Sequence, residues 1–398
     1  MLLDRYESKL IQSGLKMVMY VAVRKLFKCD VYFMHSLDKG LYCKIQSKNN
    51  LNADDINKLK NIMDDLIKKD LKITKKVITV KDAYNFYIKI NEIEKANNIL
   101  YSNNKTCTIY ELCGYYNYFL SDMPASTGKL NCYTLNYLGD NSVVLTTPYL
   151  SDYSLPKFNN QDMILKSFSD YKAWCNLVHV NYISDLNMLV SESKIKEFIK
   201  KNDIMMDNQI YELANLIRKE NKKFILLGGP SSSGKTTSTK KLALYMSALG
   251  LNPIYLGLDD YFKEKVDSPK LENGEYDFES IDCIDLDLFN KQLTDILNGE
   301  EVSVPTYNFI EGKKEYKGRI IKLKENDIIL IEGLHCLNEK LTSTIPQDAK
   351  LKVYISPFMP LSVDRHNHIS TVDIRLLRRI VRDNRTRGYN VQDTLKLW

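Results

Sequence analysis

Residues 229 to 236 read Gly-Pro-Ser-Ser-Ser-Gly-Lys-Thr, an instance of G-x-x-x-x-G-K-[ST]. Each residue type has a physical reason to be there. Glycines let a backbone wrap around phosphate groups, and the free N–H groups at a helix start point at the anion. Lys235 has the reach to meet β- and γ-phosphates, and the Thr236 hydroxyl is a ligand for Mg²⁺. Gly229, Pro230, Ser231, Ser232, Ser233, Gly234, Lys235, Thr236 and Thr237 are therefore candidates for holding a nucleotide. Further along lie Asp259 and Asp260, either of which could accept a proton from an attacking hydroxyl, and Glu332, an acidic residue suited to ordering Mg²⁺. Arg375, Arg378, Arg379 and Arg382 recur at i, i+3, i+4 and i+7, with Arg385 and Arg387 just beyond. Four cations on one helical face repel unless they meet an anion. Beside a phosphate loop they suit a clamp on a transferring phosphoryl group, against the competing readings of a solvated face or a nucleic-acid patch.

These groups need elements to hold them. The phosphate loop follows the apolar run KKFILLG and precedes the helical run TTSTKKLALYMSALG, which is the context the motif requires. Pro253 to Leu258 predicts a strand ending at Asp259, and Asp327 to Ile331 another ending at Glu332. Open parallel sheets bind ligands at the carboxyl ends of their strands. From the helical run Ile204 to Lys219 onward, the alternation of strand, loop and helix predicts a parallel α/β sheet.

The first two hundred residues read differently, as an α+β module. Residues 52 to 69 predict an amphipathic helix: Asn52 can cap it, Asp54 and Asp55 suit its dipole, and Ile56, Leu59, Ile62, Met63, Leu66 and Ile67 recur at helical steps. Strand-like runs occur at 31–36, 41–45 and 76–80, a hairpin is predicted around Gly139, Asp140 and Asn141, and a helix over 164–177.

With 398 residues, 44% hydrophobic and 27% charged, and only 16 Gly and 10 Pro, the chain is not collagen-like, low-complexity or wholly disordered. A net charge of +6 from 56 basic and 50 acidic residues is too small to argue for a polyanion partner, so charge gives tRNA binding no support. No apolar run is long enough to span a membrane, and MLLDRYESKL lacks the layout of a signal peptide; a cytoplasmic location is expected. The eight cysteines show no zinc-ligand spacing and read as reduced thiols that fill cores. His366 and His368 with Asp364 fall short of a tetrahedral metal set.

The blocks GGPSSSGKTT, LGLDDYF, YDFESIDCIDLDLF, VPTYNF, IILIEG and DIRLLRRIVRDNRTRG, in this order over about residues 222 to 390, resemble the uridine kinase and phosphoribulokinase family. The resemblance implies a phosphate-loop kinase with a parallel sheet and ATP-dependent, Mg²⁺-dependent phosphorylation of a nucleoside or sugar hydroxyl. It implies Asp259 as catalytic base, with Asp260 a near neighbour, Lys235 and Arg382 on the phosphates, and Thr236 and Glu332 at Mg²⁺. It also implies Tyr307, Arg378 and Arg387 on the substrate side, and Glu279 where uridine kinases carry a ribose-holding Asp. Gly312 stands where uridine kinases usually show a His near the pyrimidine, which removes a reason to expect pyrimidine recognition. The family continues beyond the position of Trp398, so the sheet and lid are expected to be incomplete at the C-terminus.

From about Asp30 to Thr147 the chain resembles the second additional domain of threonyl-tRNA synthetases, carried by HSLDKGLYCKI, IKKDLKITKKVITVKDAYNFY and SDMPASTGKL. Bacterial kinases of one subgroup carry such a module, so the expected organisation is residues 1–200 as the synthetase-like module and 201–398 as the kinase domain. The helix LKMVMYVAVRKLF has no His, so hydrolytic editing is not expected, and His35 reads as a structural hydrogen-bonder. The alternative is a nucleotide-binding, tRNA-interacting regulator or a truncated inactive kinase. The sequence leaves the acceptor and oligomeric state open.

Overall fold

The protein is described here from a computed structural model covering residues 3–270, 274, 276, 277, 279–358, 361–396 and 398. Phe278 of the YDFESID block and Leu397 lie outside the described residues. The chain forms two compact units, the first of residues 1–196 and 358–373, the second of residues 197–357 and 374–398.

In the first unit, helix α1 (Arg5–Phe27) carries LKMVMYVAV, and Met17 through Val23 are buried on every side, so the helix is a core element. Strands β1 (Val31–Leu37) and β2 (Gly40–Ile45) pair antiparallel. Helix α2 (Ala53–Lys68) has the predicted start: the Asn52 side chain accepts from the Asp55 N–H and the Asp55 carboxylate accepts from the Asn52 N–H. Its buried residues Ile56, Leu59, Met63, Leu66 and Ile67 are those the periodicity selected. Strand β3 (Thr74–Thr79) stops one residue short of the predicted run, because Thr79 accepts from the Asp82 N–H and starts helix α3 (Val80–Lys89). Helix α4 (Ile93–Tyr101), strands β4 (Thr106–Leu112) and β5 (Tyr115–Asn117), and strands β6 (Thr134–Gly139) and β7 (Ser142–Thr146) follow. They complete a four-stranded sheet in the order β1-β2-β7-β6 and a three-stranded sheet β3-β4-β5. The β6–β7 turn uses positive φ at Gly139, Asp140 and Asn141. Helix α5 spans Asp162–Leu177.

One finding departs from a division at residue 200. Residues 358–373, inside the predicted kinase domain, belong with the first unit. There a hairpin of Ser362–Asp364 and Asn367–His368 brings Arg365 onto Glu94 and Asp30 (2.5 and 3.2 Å) and His366 Nε2 onto Asp30 at 3.0 Å. The physical cause is charge: Asp30 and Glu94 are buried carboxylates that need a cation, and Arg365 supplies a guanidinium to both.

In the second unit, four strands form a wholly parallel sheet: β8 (Phe224–Gly228), β9 (Asn252–Gly257), β10 (Asp327–Gly333) and β11 (Lys350–Tyr354), in the order β11-β8-β10-β9. Alternate residues go to opposite faces. Phe224, Leu226, Ile329 and Ile331 join one core, which includes Phe289, Leu293 and Ile296 of helix α9 (Leu286–Leu297). Ile225, Leu227, Ile328 and Leu330 join the other, with Ala214 and Ile217 of a helix spanning Ile195–Lys219 and Leu242 and Met246 of helix α8 (Lys235–Ala248). Apolar residues on both faces explain why these strands read as continuous apolar runs. The first of those helices begins nine residues before the predicted Ile204; Ile195, Phe198 and Ile199, at i, i+3 and i+4, extend its apolar period to the earlier start.

Candidate active site

The sheet register gathers the site. Gly333 lies opposite Gly228, and Glu332 lies opposite Leu227 on one side and Gly257 on the other. The phosphate loop, the Asp259 turn and Glu332 thus leave neighbouring strands at one level, the carboxyl ends.

The loop between β8 and α8 is shaped by close approach. A Cβ on Gly229 would meet the Ile355 carbonyl oxygen at 2.1 Å, and Gly234 has φ +102°, so both positions require glycine. Ser232 holds φ 60°, an uncommon left-handed conformation for a side-chain-bearing residue. The Oγ atoms of Ser232 and Ser233 are buried without a hydrogen-bond partner. Orphaned hydroxyls in a concave loop opening onto a helix start are what a phosphate group would satisfy, so these residues fit a nucleotide. Lys235 Nζ donates to the carbonyls of Gly229 (2.8 Å) and Pro230 (3.2 Å). Burial lowers its pKa against the opposing pull of Glu332, Cys336 and Asp259. Thr236 Oγ1 donates to Glu332 Oε1 at 2.7 Å, pairing two oxygen ligands of the kind Mg²⁺ takes together with phosphates and water. Thr237, next along, is exposed on α8.

The structure separates the two aspartates. Asp260 is occupied: it accepts from the Tyr307 N–H at 3.4 Å and sits 3.6 Å from Arg319 Nη1. Asp259 is exposed. Its pKa is raised by desolvation among the surrounding groups, then by repulsion from Asp260 and Glu332, with Lys235 and His335 pulling the other way. A carboxylate held above its ordinary range, with Lys235 close enough to oppose the shift, is equipped to take a proton.

Helix α10 (Thr371–Thr386) presents the arginines. Within the second unit, Arg375 Nε donates to the Ser231 carbonyl (3.3 Å), Arg378 Nε to the Ser232 carbonyl (3.0 Å), and Arg382 Nη1 to Ser231 Oγ (3.4 Å). The predicted arginine face therefore meets the phosphate loop. Arg387 does not touch the loop; its Nε lies 3.7 Å from Asp383. Asp383 also receives Arg379 Nε at 3.4 Å and Arg382 Nε and Nη2 at 2.8 and 2.7 Å. Burial beneath these groups would raise its pKa, but the hydrogen bonds and charges of Arg382, Arg379 and Arg387 bring it below the ordinary value. Sequence reasoning missed Asp383, although an acid four residues after Arg379 and four before Arg387 was a legible signal.

On the opposite side of the Asp259 turn, Tyr307 is buried and stands edge-on to Phe262 and Phe309, with ring centroids 5.6 and 5.1 Å apart. Phe309 is 67% exposed, leaving an aromatic surface open. Gly312 has φ +69°, and a Cβ there would meet Lys265 Cβ at 2.8 Å. Glu279 is exposed in a turn, where its N–H donates to Asp277 Oδ1 at 3.0 Å.

In the first unit, His35 stacks on Phe168 at 3.6 Å between centroids, its Nδ1 is 3.2 Å from the Ser36 carbonyl, and burial lowers its pKa to about 4. Among the described residues none of the eight cysteines is in a disulfide. Among the described residues no group of three His, Cys, Asp or Glu is arranged to hold a metal, and no helix is long and apolar enough to cross a membrane.

Residues 224–398 match the profile of the Phosphoribulokinase / Uridine kinase family. A uridine kinase of Mycoplasma genitalium is 30% identical over 175 residues, covering 44% of this chain and 72% of that protein. A uridine kinase of Staphylococcus haemolyticus is 28% identical, covering 44% and 75%. Among solved structures, a putative fructose transport system kinase from Silicibacter sp. TM1040 aligns with TM-score 0.34 and 15% identity over 47% of this chain and 86% of that one. The family profile begins after the Ile195–Lys219 helix, and residues 1–196 lie outside it.

Proposed function

The chain belongs to the phosphoribulokinase/uridine kinase family through residues 224–398, and on that premise we propose that it is an ATP- and Mg²⁺-dependent kinase. It transfers the γ-phosphate to a hydroxyl of a nucleoside, uridine- or cytidine-like, or of a related sugar. The observation that carries this reading is the meeting of Lys235, Thr236, Glu332 and Asp259 at the carboxyl ends of adjacent parallel strands.

The loop from Gly229 to Thr237 holds the triphosphate through its N–H groups and the Ser232 and Ser233 hydroxyls. Thr236 and Glu332 would hold Mg²⁺, which supplies neutralising charge to the phosphates when bound. Asp259 takes the proton of the acceptor hydroxyl as its oxygen bonds to the γ-phosphorus. The bond from that phosphorus to the bridging oxygen breaks, and ADP leaves with the electron pair. Lys235, Arg378 and Arg382 neutralise charge on the transferring group, a role supported by their bonds to Gly229, Ser232 and Ser231 of the loop. Tyr307 with Phe262 and Phe309 offers the acceptor an aromatic wall, while Glu279 and Arg387 are assigned to the acceptor by resemblance alone. The N-terminal unit is read as a synthetase-like accessory module without editing chemistry.

The test is ADP release from Mg-ATP across a panel of nucleosides and sugar phosphates, with Lys235→Ala as control. Acceptor-dependent release that the substitution abolishes is expected. Tight ATP binding by a folded protein with no release on any acceptor would replace the kinase with a nucleotide-sensing regulator.

A further inference from the structure

We propose that Asp383 is a positioning residue that holds Arg382, Arg379 and Arg387 in the geometry the phosphate site uses; the inference rests on the kinase reading of that site. Arg382 makes the link. One face of its guanidinium places Nε and Nη2 on Asp383, at 2.8 and 2.7 Å, while Nη1 reaches Ser231 Oγ at 3.4 Å. Both of those nitrogens donate to the same oxygen, Asp383 Oδ1, while Oδ2 receives Arg379 Nε; Asp383 therefore acts on the phosphate loop through a single planar side chain whose direction two converging hydrogen bonds fix better than one could.

Three features argue against an incidental surface pair. Successive helical residues do not face each other, so Arg382 must fold around the helix to meet its own neighbour. Asp383 lies in the last turn of α10, where the helix dipole disfavours a carboxylate, so a helix built for stability alone would not place one there. It is only 1% exposed, covered by the guanidinium groups of three arginines. Without its charge, Arg379 and Arg382, three residues apart, repel each other and Arg387 loses its anchor.

The experiment compares the full chain with Asp383→Asn, Asp383→Glu, Arg382→Ala and the Asp383→Asn/Arg382→Ala double variant. One readout is ADP release on the best acceptor. The other is calorimetric binding of Mg-ADP with and without aluminium fluoride, which mimics the transferring phosphoryl group and needs no known acceptor. Asp383→Asn is expected to lower kcat on the order of 10²-fold with KM for ATP little changed, and to remove the extra affinity that aluminium fluoride confers. Asp383→Glu restores part of both, and the double variant is no worse than Arg382→Ala alone, because the two residues act as one unit. Additive losses, or an Asp383→Asn protein that keeps its aluminium fluoride gain, would overturn the assignment. If the wild type turns over no acceptor, the kinase reading fails, while the aluminium fluoride comparison still decides the role of Asp383.

Discussion

At the scale of single residues, two neighbouring carboxylates are told apart by their surroundings. Asp260 is engaged by Arg319 and the Tyr307 N–H, whereas Asp259 is exposed, with its pKa raised by desolvation and by Asp260 and Glu332. A raised pKa means that the native protein holds this proton more tightly than the unfolded chain does. Stability is then lost as pH rises through the folded-state pKa. Asp259→Asn is accordingly expected to raise the melting temperature at pH 7 to 8 while abolishing phosphotransfer. Its stabilising effect should disappear as the pH falls below the ordinary carboxylate range, near pH 4. Scanning calorimetry across pH checks this, and a variant that melts lower than wild type at neutral pH would contradict it. In the wild type, the acidic limb of kcat/KM should lie above the ordinary carboxylate pKa for the same reason. The sequence already offered the residue pair at a strand end. It could not say which aspartate was free, because that depends on Arg319, sixty residues away.

At the scale of elements, most of what positions the site was legible in local patterns. The strands FILLG and DIILIEG are apolar on both faces, and the phosphate loop lies where a strand gives way to a helix. The Asn52–Asp55 capping box was readable for the same reason: its chemistry is local. The start of the Ile195–Lys219 helix was missed although Ile195, Phe198 and Ile199 recur at i, i+3 and i+4, a short apolar period among lysines. The Gly312 turn shows how backbone shape constrains specificity. With φ +69° and Lys265 Cβ against the missing side chain, Gly312→His is expected to destabilise the domain by about 1 kcal/mol or more. It should also fail to improve turnover of uridine over purine nucleosides. Urea melts and a nucleoside competition assay test both halves, and a histidine variant as stable as wild type with sharpened pyrimidine preference would refute the argument.

At the scale of the whole molecule, the chain is not two modules placed end to end. It leaves the second unit after Pro357, contributes residues 358–373 to the first, and returns within α10, the helix that carries the arginines. Arg365 and His366 partner Asp30 and Glu94, so a fragment ending at residue 200 would leave the buried Glu94 without the guanidinium it faces and Asp30 with Arg24 alone. Residues 1–200 expressed alone are expected to melt without a cooperative transition. Arg365→Ala in the full chain should cost on the order of 3 kcal/mol, read from urea denaturation. A fragment with a sharp, native-like transition would show that the hairpin is dispensable.

By itself, the sequence determined the groups whose identity is carried in short range: the phosphate loop, the strand-end acids, the arginine periodicity and the apolar alternation of the sheet. These follow from backbone sterics, helical and strand periods and turn chemistry, all of which act over a few residues. Tertiary structure alone decided which of the two neighbouring aspartates is engaged and that residues 358–373 complete the first unit. Each of those depends on charges paired across long stretches of chain. The strength of such pairs is set by burial and by distance in space, and neither is encoded in spacing along the sequence.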